Sequence, residues 1–380
     1  MAAAMRAQNL IEQARAATGI ASFDSDSFRE GLDIVAGGIA ASQALHAQGR
    51  AILTGLITGM LINRLRIAEY ARNHPAILQT PIARPVIIFG LPRTGTTLLS
   101  HLLACDANRR SLLRWEAYDS VPPATQETLT TDPRCLAMKA ADNTVSTPPE
   151  LHLEQADLPI ECSIPLAHDF KNIMWAGLLE DPVYQHFLLQ TDLQSAYRFH
   201  RLQLQVLQSH SLKNWALKAP SHAMGLQALL ETYPDARLIW THRDPCRAVA
   251  SACSVTAASR KSFGQVDEKR LGPEMLPLLQ AHIERPMALR AAAQPAAMFD
   301  LHYAQLQRAP MASIRALYHW LGDRLTPAAE AAMQAWLTAN PQGKFGKHAY
   351  GLERFGLNRG QLRGAFADYV TQYGVESEAG

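Results

Sequence analysis

The sequence predicts an α/β protein in which helices cover both faces of a central parallel sheet, with an all-helical extension before it. Three observations predict this. Residues 86–89, a short apolar run, and residues 237–241 read as buried parallel strands, each leading into a helical pattern. Alternation of such runs with helices is the signature of a sheet covered on both faces. Residues 9–17, 28–47 and 48–72 carry apolar side chains at three-to-four spacing, as helices do. The chain is therefore divided into a helical extension, 1–80, and an α/β domain, 81–380.

Along the chain, Asp24 or Ser27 is expected to cap the second helix. Pro75, Pro81 and Pro85 mark the passage into the first strand. Residues 120–170 are rich in proline and polar side chains and read as loops with short helices. Residues 176–211 return to a helical pattern. A third helical region runs from Pro273 through Gln305, with a short strand over 300–303, and residues 311–336 are helical again. Residues 343–360 are glycine-rich, basic and aromatic, which suggests a functional loop. Ligand is expected at the carboxyl ends of the strands.

Composition narrows the function. At 380 residues and 48% apolar, the chain can build a sizeable core. A formal charge of +2 gives no overall field for nucleic acid or an anionic membrane, so any anion site is local. Five cysteines without C-x-x-C spacing argue against a disulfide framework or a zinc site and fit a reducing cytoplasm. The start has no apolar core of a signal peptide, and residues 51–62 are too short to span a bilayer before Asn63, Arg64 and Arg66. No membrane insertion is expected, and a homodimer stays open.

The most informative segment is residues 90–97, Gly-Leu-Pro-Arg-Thr-Gly-Thr-Thr, between the first strand and an apolar helix. Strand, glycine loop and helix N-terminus form a cradle of backbone N–H groups for phosphate. The spacing is that of the P-loop, G-x-x-x-x-G-K-[ST], but Thr96 stands in the lysine position. Loss of that lysine disfavours nucleoside triphosphate hydrolysis, while Arg93 adds a fixed positive charge. A second segment, after the strand 237–241, places Arg243 at the strand end and Ser251 about two helical turns on.

The two segments, in this order and about 150 residues apart, resemble the donor motifs of P-loop sulfotransferases, closest to their bacterial branch. The likeness covers roughly residues 80–373 and includes Leu113-Arg114-Trp115-Glu116 and the tail from His348 to Leu357. It implies the P-loop three-layer fold. It implies 3′-phosphoadenosine-5′-phosphosulfate (PAPS) as donor, with its phosphosulfate on Arg93, Thr94, Gly95, Thr96 and Thr97 and its 3′-phosphate on Arg243 and Ser251. It also implies a catalytic lysine in the Leu-Lys-Ala-Pro context of Lys218, and no metal. Two rivals stay open: a P-loop kinase or NTPase, and a binding module that keeps the fold without the chemistry.

Sulfuryl transfer requires alignment, charge stabilisation and removal of the acceptor proton. Lys218, at a strand's carboxyl end, could donate to the leaving oxygen. For the base, Glu116 beside Trp115 is the first candidate, since partial burial would raise its pKa, with a structural anchor as the equal alternative. His152 is the second candidate, within a titratable group that includes Glu154, Asp157, Glu161 and His168. His242 reads as a packing residue. Lys344, Lys347, His348, Tyr350 and Arg354 could close over the donor, although the chain lacks the family's Arg-Lys-Gly triplet. The acceptor is expected to be a small, hydrophobic molecule carrying a hydroxyl or amine.

Overall fold

Five parallel strands form one sheet: β1 (Val86–Gly90), β2 (Arg109–Arg110), β3 (Asn214–Lys218), β4 (Arg237–His242) and β5 (Met298–His302), in the order β2-β3-β1-β4-β5. The structure, a computed structural model, describes residues 6–142, 155–292, 298–341 and 351–378. His152, Glu154, Lys344, Lys347, His348 and Tyr350 lie outside them.

The chain divides into two compact units, each assembled from three segments. The sheet belongs to the unit of residues 83–111, 213–255 and 267–380. All five residues of β1 are buried, as a strand flanked on both edges and both faces requires. The helix Thr96–Ala104 lays Leu99, Leu102 and Leu103 on one face, by the three-to-four spacing. They join Val86, Ile88, Ile239, Leu301, Ile314 and Leu317 in the core.

Two elements differ from the sequence reading. β2 is a pair of arginines, which no hydrophobic pattern marks. Both are held by side-chain partners: Arg109 donates to Asp323 at 2.7 Å, and Arg110 lies 4.5 Å from the Trp215 ring centre. The helix expected to begin at Pro273 begins earlier and stops before Gln305, spanning Glu268–Ala292 with Pro273, Pro277 and Pro286 inside it. Each proline there removes one rung of the backbone ladder without ending the helix.

The second unit contains residues 1–82, 112–212 and 256–266. Its N-terminal helices are Ala7–Thr18, Arg29–Ala41 and Ala47–Asn73. The last has 27 residues, long and apolar enough by those measures alone to cross a bilayer, and half of its most apolar stretch is buried. Within this unit Arg64 is fully buried. Its Nε meets Asp24 at 2.7 Å and its Nη1 meets Asp169 at 2.9 Å. The guanidinium lies 4.7 and 4.4 Å from the ring centres of Phe28 and Phe199. Ser27 donates to the same Asp169 at 2.7 Å. This corrects the expected cap. The N-cap of Arg29–Ala41 is Phe28, with no side-chain bond, because Asp24 and Ser27 are committed to the Arg64 network.

Candidate active site

At the end of β1 the chain can turn only through glycine. Gly90 has φ +150°, and a Cβ there would stand 2.5 Å from the Thr241 carbonyl oxygen and 2.6 Å from its hydroxyl. Arg93 and Gly95 follow in the left-handed region, at φ +71° and +91°. The helix Thr96–Ala104 then begins, and its first amides have no acceptor within the helix.

Thr94 holds this turn closed. Its fully buried hydroxyl lies 2.7 Å from the Leu91 carbonyl and 2.6 Å from the Thr241 hydroxyl, which lies 3.1 Å from the Phe89 carbonyl. Two protons serve three contacts. The two short ones are satisfied when Thr94 donates to Leu91 and Thr241 donates to Thr94. The side chain of Thr94 is therefore an internal bolt, and only its backbone faces the question of a ligand.

Lys218 ends β3, level with Ile88 of β1, and is 1% exposed. Its Nζ donates to Thr97 Oγ at 3.3 Å, whereas Thr96 is buried. One helical turn past Thr97 is His101, stacked 5.2 Å from the Trp336 ring. Burial, and then the positive charge of Lys218, bring the His101 pKa down to about 4. A neutral imidazole thus stands near a buried ammonium, and adds no second positive charge beside it.

A second cationic cluster lies beside the loop. Arg93 Nε donates to Ser251 Oγ at 3.1 Å. Arg243 Nη1 donates to the Arg93 carbonyl at 2.7 Å, and its guanidinium carbon lies 4.0 Å from the Tyr303 ring centre. A Cβ at Gly95 would come within 3.0 Å of the same tyrosine ring. Arg93, Gly95, Arg243 and Ser251 are therefore gathered in one place. His242, just before Arg243, is buried with its Nε2 2.9 Å from Asp300 and its Nδ1 3.2 Å from the Tyr369 hydroxyl.

Of the base candidates, His152 lies outside the described residues, and Glu116 belongs to the other unit. Glu116 is fully buried in the helix Arg114–Tyr118, where its carboxylate accepts from the Leu113 amide at 3.4 Å. His168 is also fully buried. Its Nδ1 lies 2.8 Å from the Ile164 carbonyl and its Nε2 3.2 Å from Asn63 Nδ2. Among the described residues, no group of three His, Cys, Asp or Glu side chains is placed to hold a metal.

Three side chains at the site escaped the sequence reading. His101 had a usable signal, its four-residue spacing from Thr97. Tyr303 and Glu378, which reach Arg243 from far along the chain, had none.

These features define the class: a parallel α/β protein whose first strand–helix turn is a glycine loop flanked by a buried lysine and an arginine cluster. A family model described as the sulfotransferase family matches residues 85–327, and the chain belongs to that family. Among solved structures, the fold is similar to sulfotransferase STF9 from Mycobacterium avium, with TM-score 0.92 and 36% identity over 99% of this chain and 98% of that one. It is also similar to sulfotransferase STF1 from Mycobacterium tuberculosis, with TM-score 0.84 and 28% identity over 95% and 98%. Omega-hydroxy-beta-dihydromenaquinone-9 sulfotransferases of Mycobacterium bovis and Mycobacterium tuberculosis are 25% identical over 268 residues. That match spans 65% of this chain and 65% of those curated relatives' own length.

Buried histidines should make the protein acid-sensitive. Burial lowers the pKa from the ordinary 6.5 to about 4 at His101 and His168, and to about 3 at His200. Between those values and 6.5 the unfolded chain binds more protons, so stability is full above pH 6.5 and falls as the pH drops towards 4. Urea unfolding at pH 7, 5.5 and 4.5 should show this decline. His101→Gln should reduce its slope by at most about 1.4 kcal/mol per pH unit. An unchanged slope would mean that His101 is not held neutral.

Proposed function

We propose that this protein transfers a sulfuryl group from PAPS to a hydroxyl or amine of a small, hydrophobic acceptor. The observation that carries the reading is a glycine loop with Thr96 in the lysine position, joined through Thr97 to the buried Lys218. A P-loop NTPase keeps a lysine at the position that Thr96 occupies. Here the lysine comes from β3. Family membership supports the reaction class. The mycobacterial relatives are named for an omega-hydroxylated dihydromenaquinone, which supports a hydroxyl acceptor.

The residues fit this donor. Gly90 and Gly95 keep side chains out of a turn where a Cβ would collide, and the Arg243 fork already holds an anionic carboxylate, that of Glu378. The donor supplies a sulfuryl group on a phosphate leaving group. In this reading the loop amides and Arg93 bind and orient the 5′ end, and Arg243 with Ser251 reads the 3′-phosphate. Lys218 stabilises the negative charge that develops on the leaving phosphate. Its burial strengthens that interaction, since few water molecules screen it. Glu116, or else His152, takes the acceptor proton.

Donor choice tests the reading first. Calorimetry should find 3′-phosphoadenosine-5′-phosphate bound far more tightly than AMP or ATP. Arg243→Ala should lose about 2–4 kcal/mol of that affinity. Equal binding of AMP and the bisphosphate would overturn the assignment.

Lys218→Ala should lower kcat about 10²–10³-fold with a smaller change in donor affinity. A near-normal kcat would remove Lys218 from the catalytic set.

The base is tested by pH profile. If Glu116 is the base, Glu116→Gln should abolish the acidic limb of kcat/KM and most turnover while donor binding persists. An active Glu116→Gln beside a silent, donor-binding His152→Ala would move the assignment to the histidine.

A further inference from the structure

Arg243, the residue assigned above to the 3′-phosphate, is held by an internal anion. The Glu378 carboxylate accepts from Arg243 Nε at 2.6 Å and from Nη2 at 2.8 Å, the two-pronged geometry that a phosphate also takes on a guanidinium. The Glu378 amide donates to Asp244 Oδ2 at 2.8 Å, so the tail is fixed by backbone as well as side chain. The other reader, Ser251, is engaged by Arg93.

The segment carrying Glu378 is short and firmly rooted. The helix Ala367–Tyr373 ends at Gly374, with φ +57°. Tyr373 packs 4.7 Å from the Trp240 ring and 4.9 Å from the His242 ring, both on β4, the strand that leads directly into Arg243. Four residues separate that root from Glu378, so the carboxylate stays at high local concentration beside the fork. A carboxylate and a phosphate cannot share one guanidinium edge, because like charges at that distance repel.

We propose that Glu378 is an internal competitor for the 3′-phosphate, seated on Arg243 when no donor is bound and displaced when the 3′-phosphate arrives. The strap from Gly374 to Glu378 is then released on donor binding, and its return helps expel the bisphosphate product. This inference rests on the donor assignment under Proposed function.

Calorimetry with 3′-phosphoadenosine-5′-phosphate and with AMP, on the wild-type chain and on Glu378→Gln and Glu378→Ala, tests it. Both variants should bind the bisphosphate about two- to fivefold more tightly, as expected for removing a partly exposed competing ion pair, with AMP affinity unchanged. In the wild type, the bisphosphate but not AMP should speed hydrogen exchange at the amides of residues 375–378. Unchanged or weaker bisphosphate binding in both variants would overturn the proposal, and weaker binding would make Glu378 an orienting partner of Arg243 instead. If the bisphosphate binds no better than AMP to the wild type and the variants alike, the donor assignment fails and the competitor role fails with it. If it outbinds AMP but ignores both substitutions, only the competitor role fails.

Discussion

The contact on which the site depends is the hydroxyl pair of Thr94 and Thr241, 2.6 Å apart and fully buried. It bolts the turn after β1 to the neighbouring strand β4. Three positive φ angles, at Gly90, Arg93 and Gly95, are tolerated within six residues because this bolt and its bond to Leu91 fix the curve. Thr241 precedes His242 and Arg243, so the same contact sets the distance between the glycine loop and the arginine that bonds to Arg93. Moving either threonine would disturb the loop and the second cationic cluster together.

Two of the cations here, Lys218 and Arg93, donate to hydroxyl groups. The nearby His101 is uncharged above about pH 4, because burial and the Lys218 charge disfavour its protonated form. A hydroxyl partner orients a positive charge without itself cancelling it, which helps to organise a site in advance for an anion. Arg243 departs from this pattern, because a carboxylate meets it.

Much of this arrangement was legible in the sequence because its signals are local. β1 is an unbroken apolar run, β4 carries an apolar centre over Leu238–Trp240, and the loop announces itself by two glycines at fixed spacing. Arg243 and Ser251 follow from where β4 ends. Signals that depend on distant partners were opaque. Asp24 and Ser27 look like helix caps until Arg64 is seen to claim them. β2 is two arginines whose burial rests on Asp323 and Trp215. Nothing near Thr94 in the sequence reveals that its hydroxyl is engaged by Thr241. Glu116 read equally as base or anchor, and the anchoring bond to Leu113 became visible only with the helix in place.

The interleaving of the two units bears on how the chain reaches its fold. β1 sits at the centre of the sheet, yet Val86 pairs with Ala216 and Arg237, and β4 in turn needs β5, which begins at Met298. No hairpin can start this sheet, and every pairing closes a long loop before it is rewarded. During synthesis β1 is made more than a hundred residues before β3 and β4, so its apolar residues must wait for their partners. Slow folding and a need for protection from aggregation are the kinetic consequences of that strand order.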